Sequence, residues 1–201
     1  MRRSKSISWI NFLVFLSTSF LTPWIAHGDQ IYQPTHLAAK LEVNKCKLSN
    51  TDTICFRVKI KNISKNIIRI QNLRNPYSVE YIKIYTEDGD ELKPIMTVMV
   101  DTKLPERKDY IELNPNEEIT KNFIGEIQIG KKYEHGNNKP IDGLFLDFKF
   151  SSIFIPKSGI YSVIFQFNET QEGAEFYQKE FNFDHVWYGM VISNPVIIHI
   201  N

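Results

Sequence analysis

The chain has 201 residues, 42% of them hydrophobic and 23% charged, values that exclude a collagenous repeat, a disordered tail and a polytopic membrane protein. Lys plus Arg number 24 against 23 Asp plus Glu, so no basic field draws the protein onto nucleic acid or anionic lipid. With 14 Phe, 9 Tyr and 3 Trp against 9 Gly and 9 Pro, the chain is rich in residues that favour sheets.

Residues 1–28 read as a cleaved secretory signal. Arg2, Arg3 and Lys5 form a positive start, and Ile7 to Ile25 is apolar apart from hydroxyls and one Asn. Ala26 and Gly28 place small residues where a signal peptidase needs them, so cleavage is expected between Gly28 and Asp29. Pro23 and Trp24 lengthen the apolar run toward the size of an uncleaved anchor helix, the alternative for the same stretch. Residues 29–201 then form a near-neutral secreted or periplasmic product with no cysteine at its start to carry a lipid. No integral membrane segment is expected after cleavage, and one domain accounts for the length.

Cys46 and Cys55 are the only cysteines, and an even count in an exported chain reads first as a disulfide. Leu37, Ala39, Leu41 and Val43 alternate with polar residues before the first, and Ile54, Phe56, Val58 and Ile60 do so around the second, as in two amphipathic strands. A hairpin with Cys46 opposite Cys55 puts Val43 opposite Val58, Leu41 opposite Ile60 and Glu42 opposite Lys59. Asn50 and Thr51 then form its tip. A metal pair or a redox dithiol needs a different spacing.

Further period-two segments follow: Ile67–Ile70, Val79–Tyr85, Leu92–Val100 with Pro94 at its start, Tyr110–Leu113 and Ile119–Ile129. Gly130–Gly143 reads as a long polar loop. Leu144–Phe150, Gly159–Phe167, Val186–Ile192 and Val196–Ile200 complete the set, with no convincing helix. Many short strands separated by turns point to an all-β antiparallel sandwich.

Ile155-Pro156-Lys157-Ser158-Gly159-Ile160-Tyr161, leading into an alternating strand, resembles the tyrosine corner of immunoglobulin-like β-sandwich domains, here those of exported bacterial proteins. The turn in Ile111–Glu118 and the entry Ser193-Asn194-Pro195-Val196 into the last strand are similar to that family too. The resemblance implies an architecture, with Tyr161 as the corner tyrosine, and no activity. The cysteines lie on neighbouring strands with no core Trp between them, unlike an antibody domain.

No zinc signature, nucleophile elbow, phosphate loop or dinucleotide fingerprint occurs, so no catalytic residue, metal or cofactor is expected. Adjacent residues of a strand face opposite ways, which makes the pair Asp184-His185 a weak acid–base candidate. Phe176, Tyr177, Phe181, Phe183, Trp187 and Tyr188 crowd one segment. Of these, Phe176, Tyr177, Trp187 and Tyr188 are the candidate binding rings, because the adjacent pairs must each expose one ring of a strand. Lys131 and Lys132 in the polar loop are the second candidate. The expected function is non-enzymatic binding of a protein or glycan ligand, as an inhibitor or accessory factor of an extracellular enzyme. The alternative is a secreted hydrolase with scattered residues, with His135 and His185 first to test. Asn62-Ile63-Ser64 and Asn168-Glu169-Thr170 are glycosylation sequons.

Overall fold

The computed structural model describes residues 36–73, 81–96, 105–133, 139–148 and 151–201. The expected leader and its cleavage point, Lys149, Phe150 and His135 fall outside them. Alternation dictates the architecture. In β3 (Thr53–Asn62) Ile54, Phe56, Val58 and Ile60 are buried and the residues between them are not, the period of a strand with one face on a core. In β11 (Gly159–Glu169) Tyr161, Val163, Phe165 and Phe167 do the same.

Each of these strands belongs to one sheet. The first sheet runs β1 (Leu37–Val43), β3, β8 (Glu118–Tyr133), β9 (Pro140–Phe148), β10 (Ser151–Ile155) and β6 (Pro94–Met96). The second is built on β11, with β5 (Ile82–Tyr85) on one edge. On the other edge lie β12 (Gly189–Ile192) and β13 (Val196–Ile200), one after the other, and β2 (Lys47–Leu48) pairs parallel with β13. A two-stranded sheet joins β4 (Ile68–Gln71) and β7 (Tyr110–Leu113). The buried faces of all three share one apolar core. The fold is all-β, and among the described residues the named strands pair antiparallel except β2 with β13, with two isolated parallel bridges, Ala39 to Ser193 and Arg69 to Val186.

Between β12 and β13 the ladder is broken at Ser193-Asn194-Pro195, where Pro195 has no N–H to give. Ser193 repairs its own side: its N–H donates to the Phe165 carbonyl and its hydroxyl accepts from the Phe165 N–H, both at 2.9 Å. Asn194 reaches the other sheet. Its Oδ1 accepts from the Leu41 N–H at 3.0 Å and its Nδ2 donates to the Leu41 carbonyl at 3.2 Å, as a neighbouring strand would. Tyr161, 2% exposed, donates its hydroxyl to the Lys157 carbonyl at 2.5 Å.

The disulfide expectation is corrected here. In β1 and β3 Val43 lies opposite Phe56, Leu41 opposite Val58 and Glu42 opposite Arg57, a shift of two residues from the register that would join the thiols. A shift of two keeps every side chain on its face, so the apolar pattern alone does not choose between the registers. The choice comes from the strand end. Beyond Val43, Asn44 closes the pairing by accepting from and donating to Cys55, and the chain then crosses to the second sheet, where the Cys46 carbonyl accepts from His199 N–H at 2.7 Å. Cys46 is exposed, Cys55 half-buried, and both thiols are free.

Two element assignments also change. Gly130–Tyr133 and Pro140–Gly143 extend the β8–β9 hairpin rather than forming a loop. Gln171–Phe181 is a helix, α1, where only strands were expected. The first sequon is structural: Asn62 is fully buried, its amide donating to the Asn66 and Leu113 carbonyls and its Oδ1 accepting from Ser64. Asn168 is exposed.

Alkylation of the unreduced protein should modify both cysteines, Cys46 faster than Cys55; a product with neither modified would mean that the chain does not cross to β13 at Cys46. Asn194→Ala strips the partners from both polar groups of Leu41 and should cost about 1–3 kcal/mol in denaturant unfolding. A loss below a few tenths would show that the amide does not hold β1.

Candidate functional site

Leaving β11, the chain makes its one described α-helix before it returns as β12. Thr170 caps α1 by accepting the Gly173 N–H at 3.0 Å, Glu172 and Lys179 sit at the ends that the helix dipole favours, and Asn182 closes it in the left-handed conformation. A Cβ at Gly173 would meet Glu169 Oε1 at 2.5 Å, so a side chain there would displace the Glu169 carboxylate. Ala174, Tyr177 and Phe181, at helical spacing, share one face. Ala174 is buried, and Tyr177 and Phe181 pack their rings 5.5 and 5.9 Å from that of Tyr110 on β7. Phe176 points away and is 52% exposed.

Tyr110 and Glu169 form the polar floor beneath this packing. Burial pushes the Glu169 carboxyl up from its ordinary range, partly offset by the N–H of Thr170. Burial, with the Glu169 charge nearby, also pushes the Tyr110 hydroxyl up, and that hydroxyl has no partner among the described residues.

From Asn182 the chain returns along β4. The Arg69 N–H donates to the His185 carbonyl and the Trp187 N–H to the Arg69 carbonyl, both at 2.8 Å, so Val186 sits as a third strand's residue beside β4. Trp187 is buried and stacks on Phe167 at 5.2 Å. These fixtures leave His185 at a φ of 120°, a conformation that side-chain-bearing residues avoid and that costs about 1–3 kcal/mol.

Two recesses meet at this point, sharing Ile67, Gln178 and His185. One, of about 210 Å³, continues past His36, Ser64, Asn66, Trp187 and Tyr188. The other, of about 430 Å³, continues past Arg69, Phe183 and Asp184. Arg69 and Arg107 each lie 5.1 Å from the Phe183 ring centroid, and Arg69 is paired with Glu112 at 2.5 Å.

Of the four candidate rings, Trp187 and Tyr188 line this groove, Tyr177 packs beneath α1 and Phe176 stands on its outer side. Lys131 and Lys132 are not part of the groove. Both are on β8, Lys131 3.6 Å from Asp142 and Lys132 2.7 Å from Asp147. Lys132 and Asp147 border a separate depression on the face of the first sheet away from the shared core, with Thr53, Glu126, Gln128 and Ser152. Among the described residues no three His, Cys, Asp or Glu side chains converge as a metal site. The groove residues His36, Ser64, Asn66, Arg69 and Gln178 have no local sequence signal, because they come from three separate segments. Comparison with models of known protein families and with curated proteins finds no match.

Because burial raises the Glu169 carboxyl, its protonated form favours the fold. That contribution is present below the ordinary carboxylate range and is lost as pH rises through the raised value. Glu169→Gln keeps the acceptor for Thr170 and removes the charge. Its melting temperature should exceed that of the wild type at pH 7, with the difference gone at about pH 4 and below. An equal or lower melting temperature at pH 7 would show that the charge is not penalised there.

Proposed function

We propose that the chain is an exported, non-enzymatic β-sandwich of immunoglobulin-like type that binds a macromolecule in the groove between α1 and β4, as an inhibitor or accessory factor of an extracellular enzyme. The immunoglobulin-like reading draws support from the Tyr161–Lys157 corner bond and from the first strand, which serves both sheets. The observation that carries the binding reading is His185. A glycine would occupy its backbone conformation without strain, yet the position holds an exposed imidazole at the junction of two recesses. Strain retained at an open surface is characteristic of binding and catalytic sites.

The hydrolase alternative has less support. Among the described residues the His185 imidazole has no hydrogen-bond partner, so nothing orients it as a base, and no nucleophile is paired with it.

The test is His185→Gly. Relief of strain, set against the greater freedom of glycine in the unfolded chain, should raise stability by about 1 kcal/mol. The same change should reduce capture of the partner from the source's envelope or culture fluid at least tenfold, while Tyr133→Ala on the distant hairpin leaves it unchanged. Undiminished capture would place the binding surface elsewhere.

A further inference from the structure

Resting on that assignment of the groove, we propose that its ligand is a neutral oligosaccharide, bound as an extended chain with successive units in the two recesses. The lining is mixed in hydrogen-bonding sense and close to neutral in charge. Gln178 and Asn66 carry amides that both donate and accept, and Asp184 an acceptor opposite in sign to Arg69, while the Ser64 hydroxyl is held by Asn62 and Asn66. Sugar hydroxyls, which also donate and accept, complement such a set. A polyanion would meet Asp184 and an arginine already neutralised by Glu112, and a polycation would find Asp184 as the one carboxylate of the described lining, with Arg107 nearby.

The backbone argues against an extended peptide. β4 is bonded on one edge by β7 and on the other by His185 and Trp187, so β4 has no free edge for a peptide to join. Recognition is left to side chains. Ile67, 40% exposed, with the half-buried ring of Tyr188, supplies an apolar patch for the C–H face of a sugar ring. His185 is held by the backbone bonds on either side of Val186, so the junction is shaped before the ligand arrives and little ordering cost falls on binding.

Calorimetric titration of the purified protein with cellohexaose, maltohexaose, xylohexaose and chitohexaose, and with polygalacturonate as an acidic arm, tests this. At least one neutral oligomer should bind with a Kd below about 1 mM, unaffected by salt between about 0.05 and 0.5 M. Gln178→Ala and Tyr188→Ala should each weaken it at least tenfold, in variants whose melting temperatures confirm folding. Glu126→Gln, on the far sheet face, should leave it unchanged. Binding confined to polygalacturonate and abolished by salt, binding indifferent to both groove variants, or no binding by any oligomer overturns the proposal. If no oligomer binds but partner capture still falls with His185→Gly, the groove takes a protein and only the sugar assignment fails. If capture is also indifferent to that change, the groove assignment fails as well.

Discussion

The Asn194 carboxamide and the parallel backbone bridge between Ala39 and Ser193 join β1 of the first sheet to the second. Asn194 gives the Leu41 N–H an acceptor and the Leu41 carbonyl a donor, so the edge strand β1 keeps its backbone bonds just beyond the point where its pairing with the Ser193 backbone ends. This is available only because the strand that carries Asn194 is broken. Pro195 interrupts the ladder, Ser193 fills the gap with its hydroxyl, and the intervening side chain is freed to turn outward. With β1 fixed there, the chain following Val43 is close enough to β13 to join it as β2. The parting of Cys46 from Cys55 is a consequence of that crossing.

The groove arises from a similar contest between a few strong fixtures and one weak point. The excursion from Glu169 to Gly189 must cover the end of the core before it returns. Ala174 and Trp187 do so, and two hydrogen bonds to Arg69 set the path of the returning chain. Burying a side chain the size of Trp187 contributes about 3 kcal/mol, and the two hydrogen bonds about 0.5–1.5 kcal/mol each. Against them stand strain of about 1–3 kcal/mol at His185 and the buried Trp187 Nε1–H, which has no partner among the described residues. The fold tolerates the strain, though nothing in the fold requires a histidine there.

The parts legible in the sequence are those governed by alternation. β3, β9, β11 and β13 lie where apolar and polar residues alternate, because each has one face on the core. Where alternation is silent, other forces decided. The β1–β3 register moved by two because both registers bury the same face, and the tie is broken by Asn194 and β13, far away in sequence. The helix was hidden by aromatic residues: Tyr177 and Phe181 within it and Phe183 just beyond suggest a strand by type, while the spacing of Ala174, Tyr177 and Phe181, with Thr170 as cap, is helical. Gly173 weakens the helix signal further, and the close approach of Glu169 to it is visible only in three dimensions. Trp187 and Tyr188 are at the groove for a reason unrelated to strand alternation: the first is an anchor in the core and the second follows it to the surface.

The two surface recesses differ in what the fold needs from them. On the face of the first sheet away from the shared core, Thr53, Glu126, Asp147 and Ser152 lie in one row across four strands, and Lys132 neutralises one of the two facing carboxylates. The inner end of that row is packed, with Ser152 2% exposed and Phe145 fully buried, and the cross-strand pair of Lys132 with Asp147 is the kind of contact that stabilises an antiparallel sheet. The groove has a different balance. Its backbone is over-determined by Arg69 and Trp187, its junction residue is strained, and its side chains Gln178, Asn66 and His185 are placed by elements that the core holds rigid. Replacing His185 by glycine would relieve the strain without loss of any buried contact, so stability alone does not account for the residue, and what remains is the chemistry its side chain offers to the open groove.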